Sequence, residues 1–87
     1  MKDPYQILDY PVSTEKAVRQ MEMENCLIFI VKDKSTKPQI KWAIKKAFNA
    51  KVAKVRTLRT MDGRKKAYIK LKPETPASEI TTALGLV

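Results

Sequence analysis

The stretch Lys51 to Lys72, KVAKVRTLRTMDGRKKAYIKLK, decides the fold. Two runs, Lys51 to Thr60 and Arg64 to Lys72, flank Met61-Asp62-Gly63, and their period-two alternation marks each as a strand. In the second run Ala67, Ile69 and Leu71 share one parity, while Lys66, Tyr68, Lys70 and Lys72 share the other. The turn fixes which faces meet. A two-residue Asp-Gly turn pairs Val55 with Lys70 and Arg56 with Ile69, mixing apolar with charged. A three-residue loop, with Gly63 in the left-handed position of a bulge, pairs Val55 with Ile69, Ala53 with Leu71 and Arg56 with Tyr68. Only this register separates core from surface, so the sequence predicts an antiparallel hairpin closed by three residues.

Upstream of the hairpin, Thr36-Lys37-Pro38-Gln39 reads as a capping box with proline in the first turn, where a missing N–H costs nothing. Ile40, Ala43, Ile44, Ala47 and Phe48 follow at helical spacing and predict an amphipathic helix. Further upstream, Leu27 to Val31 is apolar at both parities, the pattern of a central strand covered on both faces. Asn25 interrupts the chain before it. Ser13-Thr14-Glu15 offers a helix start, and Ala17, Val18 and Met21 extend it as a short helix from about Thr14 to Glu22. Between Pro4 and Pro11 an extended segment, Tyr5 to Tyr10, contains Ile7 and Leu8 at the start of a brief strand. After the hairpin, Thr75-Pro76 reads as N-cap and first residue of a last helix, with Ile80 and Leu84 inward and Gly85 as the stop. No internal repeat or linker divides residues 1–87, which read as one domain.

Composition narrows the function. Hydrophobic residues are 44% and charged residues 31% of 87, a folded globular mixture. The net charge of +9 is unevenly placed. Lys34 to Lys72 holds fourteen basic side chains and one acidic, Asp62, a net of +13, whereas the remainder holds four basic and eight acidic, a net of −4. The longest apolar run, Cys26 to Val31, is six residues, far below the roughly 20 that cross a bilayer, and no signal-peptide core is apparent. The lone cysteine reads as a small buried hydrophobe in a reducing cytosolic setting. With no histidine, the usual general base and the histidine triads are absent. The expectation is a binding protein without cofactor or metal.

The predicted helix has a second face, where Lys41, Lys45 and Lys46 fan out opposite Ile40, Ile44 and Ala47, with Trp42 among them. Trp42 there either packs on a neighbour or stacks on a base or ribose. The outer hairpin face repeats the chemistry with Lys54, Arg56, Lys66, Tyr68 and Lys70, joined by Arg59, Arg64 and Lys65 towards the turn. Lys34 and Lys37 extend the charge at the helix start. A polyphosphate partner follows, with counterion release dominating affinity. Membrane binding does not fit, because the helix spends its apolar side on the core. Without a helix-turn-helix pair, and with Lys and Tyr on an antiparallel sheet, RNA fits better than DNA. Arg64 to Leu71 matches the strand of an RNA-recognition motif poorly, since lysines stand at its Gly and first aromatic; phosphate contact is the better role.

Three co-linear segments resemble the L-twenty-three family of large-subunit ribosomal proteins, in its short archaeal form. Pro11-Val12-Ser13-Thr14-Glu15-Lys16-Ala17 is similar to the family's opening Pro-x-x-Thr-Glu-Lys segment. Lys37 to Lys54 resembles its basic helix entering a Val-rich strand, and Lys65 to Leu71 resembles its Lys-Lys-Ala-Tyr-Val-x-Leu strand. The resemblance implies a compact α+β fold, a four-stranded antiparallel sheet with about three helices packed on it. It also implies a cytoplasmic role on the large ribosomal subunit: binding large-subunit rRNA beside the exit of the nascent-polypeptide tunnel, next to the L-twenty-nine family protein. Members there form a docking platform for the signal-recognition particle and ribosome-associated chaperones. Glu15 falls where bacterial relatives place a chaperone-contacting glutamate; the alternative is an ordinary first-turn carboxylate. Bacterial members carry a long loop between the last two strands that reaches into the tunnel, whereas three residues separate Thr60 from Arg64 here. Tunnel-lining roles are therefore not implied. The competing readings are a small ribosome-dependent RNase using Arg56, Tyr68 and Lys70, and a freestanding single-stranded RNA-binding module.

Overall fold

A computed structural model describes residues 3–85. A 3-10 turn, Pro4–Gln6, leads into β1 (Leu8–Pro11), followed by α1 (Glu15–Glu24), β2 (Cys26–Val31), α2 (Lys37–Phe48), β3 (Val52–Arg59), β4 (Lys65–Leu71) and α3 (Ala77–Ala83). The strands form one sheet in the order β1-β2-β4-β3, antiparallel throughout. The Cα radius of gyration is 11.7 Å, close to the ~12 Å expected for one compact body of this length. The α+β architecture implied by the resemblance is the one observed.

Central placement explains β2. All six of its residues are buried, because β1 and β4 flank it and helices cover both faces. Leu27, Phe29 and Val31 point into the main core with Ala67, Ile69 and Leu71 of β4, and Ile40, Ala43 and Ile44 of α2 close it. Ala77 and Ile80 of α3 complete that side. On the other face Cys26 and Ile28 pack beneath Ala17 and Met21 of α1, with Val12 and Tyr68 at the margin. The capping box at α2 is complete: Thr36 Oγ1 accepts from the Gln39 N–H, and Gln39 Oε1 accepts from the Thr36 N–H.

The hairpin closes through three residues, with Gly63 at φ +88° and the Thr60 N–H donating to the Arg64 carbonyl at 2.8 Å. Val55 faces Ile69 and Arg56 faces Tyr68, as expected. The expected pairing of Ala53 with Leu71 is corrected by a bulge, which puts Val52 opposite Leu71 and leaves Ala53 as the extra, exposed residue. The bulge turns the larger side chain inward, so that Val52 is 6% exposed.

Two further expectations change at the ends. Tyr5 and Gln6 are not extended, because Asp3 accepts from the Tyr5 N–H at 2.9 Å and Pro4 opens a 3-10 turn. Thr75 is not the cap of α3, whose N-cap position is Pro76. Its hydroxyl instead accepts from the Lys51 N–H, and Asn25 caps α3 from a distance, its Oδ1 accepting from the Ala77 N–H at 2.7 Å. Asn25, in the left-handed conformation at φ 52°, also stops α1, which ends at Glu24, two residues beyond the expected Glu22.

Candidate nucleic-acid interface

Cross-strand register builds the first basic surface. On the α1 side of the sheet Lys54 stands opposite Lys70, Arg56 opposite Tyr68, and Leu58 opposite Lys66. α1 covers the β2 column of this face and leaves the β3 and β4 columns open, so Lys54, Arg56 and Lys70 are exposed. Tyr68 lies half-buried against the α1 cluster, and its ring carries the Arg56 guanidinium at 5.2 Å and the Lys66 ammonium at 5.7 Å. The Lys70 ammonium donates to the Glu24 carbonyl at the end of α1. Glu24, Cys26, Lys54, Arg56, Tyr68 and Lys70 line a depression of about 220 Å3. Two lysines directly opposed on a sheet repel one another, and an anion between them reverses that cost. Burial, aided by the Glu24 carboxylate, pushes the Cys26 thiol above its ordinary range, so the depression holds no reactive thiolate.

Helical periodicity builds the second. Trp42, Lys45, Lys46 and Asn49 occupy positions i, i+3, i+4 and i+7 of α2 and its cap, and line an open concavity of about 450 Å3. Lys41 is exposed beside them, and Lys34 and Lys37 are exposed at the helix start. Trp42 lies on the outward face but is partly buried, part of its indole packing against the main core. Because α2 packs on the face of the sheet that Lys54, Arg56 and Lys70 do not share, the sheet separates the two basic surfaces. Lys41, Lys45 and Lys46 therefore do not form one continuous face with the hairpin cations.

Towards the turn, Arg59, Arg64 and Lys65 also make internal contacts. Arg59 bridges Asp33 at 2.5 Å and donates to the Gly63 carbonyl at 3.1 Å. Arg64 lies 5.7 Å over the Tyr10 ring, donates to its hydroxyl and pairs with Asp62 at 3.4 Å. Lys65 donates to the Ser35 carbonyl at 2.6 Å. Of the fourteen cations between Lys34 and Lys72, only Lys51, Arg59 and Arg64 pair with carboxylates among the described residues, which leaves eleven uncompensated. Sequence reasoning passed over Asn49 and Glu24, whose contributions depend on where α2 and α1 end. Glu15, in the first turn of α1, has an 87% exposed side chain and pairs with Arg19 at 3.1 Å. No group of three or more metal-ligating side chains occurs among the described residues, and no helix among them is long and apolar enough to cross a membrane.

The family described as Ribosomal protein L23 matches residues 6–79, from the 3-10 turn into α3. The chain is similar to the large ribosomal subunit protein uL23 of Tetrahymena thermophila, 44% identical over 85 residues. That organism is a eukaryote, so the match supports the family without supporting its archaeal form. The match covers 98% of this chain and 57% of the relative, so the chain spans little more than half the length of that protein. Matched across both basic surfaces and the whole sheet, the chain belongs to the ribosomal protein L23 family, whose members are ribosomal proteins and not enzymes.

Proposed function

We propose that this chain is a structural constituent of the large ribosomal subunit in the cytoplasm, and that it binds large-subunit rRNA through the two basic surfaces. The observation that carries this reading is the eleven cations without a carboxylate partner, most of which lie on the outward side of α2 or on the open half of the sheet. A polycation so arranged is stabilised by a polyanion that touches both sides. The family resemblance supports a position beside the tunnel exit, next to the L-twenty-nine family protein. It also supports a docking role for the acidic α1 side, with Glu15 as a contact for the signal-recognition particle or ribosome-associated chaperones. Residues 1–87 act in this reading as one rRNA-binding domain.

The test combines fractionation with a salt titration. The tagged full chain is expected to sediment with large subunits on a sucrose gradient, and its log affinity for large-subunit rRNA to fall linearly with log salt. Replacing Lys41, Lys45 and Lys46 by Gln, and separately Lys54, Arg56 and Lys70 by Gln, is expected to weaken binding in each case. Unchanged affinity in both triple variants, or recovery only in ribosome-free fractions, rejects the reading. Ribosomes carrying Glu15→Ala are expected to lose affinity for the docked factor while keeping the rRNA contact.

A further inference from the structure

Two of the tyrosines near the cations already carry a charge on the ring: Tyr68 holds Arg56 and Lys66, and Tyr10 holds Arg64. Trp42 differs. Its indole packs partly against the core, while its open side forms one wall of the concavity shared with Lys45, Lys46 and Asn49. Among the described residues the Trp42 ring N–H, the two ammonium groups and the Asn49 side-chain amide have no hydrogen-bond partner in the protein, and no buried side-chain polar atom is unsatisfied, so these groups face solvent. Asn49 is held in place by its left-handed backbone at φ 53° and by its N–H bond to the Lys45 carbonyl.

We infer that this concavity is a binding site for a single unpaired nucleotide of RNA. The inference rests on the rRNA-binding reading and deepens it. An indole offers a plane on which any base stacks. Lys45 and Lys46, one turn further on, meet the phosphates on either side of that nucleotide. The Asn49 amide carries a donor pair and an acceptor, which suit the edge of a base. A paired base cannot stack on the indole, because both its faces are covered within the helix; the wide minor groove of A-form RNA presents 2′-hydroxyls and base edges, not a free base face. The α2 surface thus selects a bulged or loop nucleotide, while the sheet surface, with its aromatic ring already covered, serves phosphates alone.

Trp42 is the single tryptophan of the chain, so its emission reports the site directly. The full-length protein is titrated with an RNA duplex carrying one unpaired adenosine and with the same duplex fully paired. The bulged RNA is expected to quench Trp42 and to bind about tenfold tighter, the size of one base–aromatic stack. Trp42→Leu, which keeps an apolar group against the core, is expected to bind both RNAs equally, and Trp42→Phe to recover most of the preference. Asn49→Gly, which tolerates the left-handed backbone, is expected to retain quenching but lose discrimination between adenosine and uridine at the bulge. Equal affinity and unchanged emission with the two RNAs, while salt-dependent binding persists, overturns the nucleotide site and leaves the rRNA reading standing. Failure to bind either duplex or large-subunit rRNA overturns the rRNA reading itself.

Discussion

The side chain of Asn25 joins the end of the first helix to the start of the last. Its Oδ1 accepts from the Ala77 N–H at 2.7 Å, while its Nδ2 donates to the Lys72 and Thr75 carbonyls at 3.2 and 3.1 Å. One asparagine thus terminates α1, caps α3 and fastens the turn that leaves the sheet.

Asn25→Gly keeps the left-handed backbone and removes the three side-chain bonds. It is expected to destabilise by about 1–2 kcal/mol, the range of a lost cap with partly buried partners. Asn25→Ala is expected to cost about 1 kcal/mol more, because alanine pays for positive φ. Urea unfolding measures both, and a glycine variant as stable as the parent removes this role from Asn25.

The sheet between the two basic surfaces keeps their contributions separate. Neutralising Lys54, Arg56 and Lys70 is expected to make the slope of log affinity against log salt shallower by roughly 2–3, as is neutralising Lys41, Lys45 and Lys46. The six-fold variant is expected to show the sum, since groups without shared partners act additively. A second triple substitution that has no effect once the first is made contradicts two independent surfaces.

Arg56 and Arg59 lie three residues apart on β3 but differ in company. Arg59 is tied to Asp33 and the Gly63 carbonyl, whereas Arg56 has only the Tyr68 ring. Arg56→Gln is expected to weaken rRNA binding more than Arg59→Gln, by about threefold or more if Arg56 meets a phosphate and Arg59 stays with its own loop. Filter binding at fixed salt ranks the two, and the reverse order refutes the assignment.

Lys51 and Glu74 form an exposed pair at 2.7 Å that joins the start of the hairpin to the turn after it. The hydrogen bond from Lys51, reinforced by its charge, lowers the Glu74 carboxyl below its ordinary 4.5. The same bond raises the Lys51 ammonium above 10.5. A lowered carboxylate stabilises the fold above its unfolded value, and that contribution disappears as pH falls through the folded value. The raised ammonium contributes below 10.5 and loses its contribution as pH rises through its folded value. Glu74→Gln is therefore expected to narrow a small stability difference only below about pH 4.5 and above about pH 10.5. Thermal unfolding across pH measures it, and a difference between parent and variant that stays constant into acid contradicts the pair.

The buried Cys26 thiol, raised by desolvation, is expected to react with an aromatic disulfide reagent at pH 8 about a hundredfold or more slowly in the folded protein than in denaturant. Equal rates would place the thiol in solvent.

Local chemistry is legible where it depends on neighbours in the chain. The α2 capping box, the six-residue buried strand and the left-handed Gly63 follow from spacing, propensity and turn geometry within a few residues. The hairpin register follows too, up to Ala53. Past that point the choice between Val52 and Ala53 depends on how much space the core leaves beside Leu71. The α3 cap lies beyond local chemistry for a similar reason: Thr75 is a fitting N-cap in isolation, but Lys51 takes its hydroxyl and Asn25 reaches the helix from 52 residues away.

The candidate cations were legible as residues but not as surfaces. Sequence by itself determined the α+β elements, the concentration of +13 between Lys34 and Lys72, and the resemblance that the family match bears out. Only the tertiary structure decided that α2 and the open sheet face lie on opposite sides, that Tyr68 is covered by Arg56 while Trp42 keeps an open side, and that Arg59, Arg64 and Lys65 hold loops together. The physical reason is the one that separates charge from field. The number of charges belongs to the chain, but whether two of them meet the same partner depends on what the fold places between them.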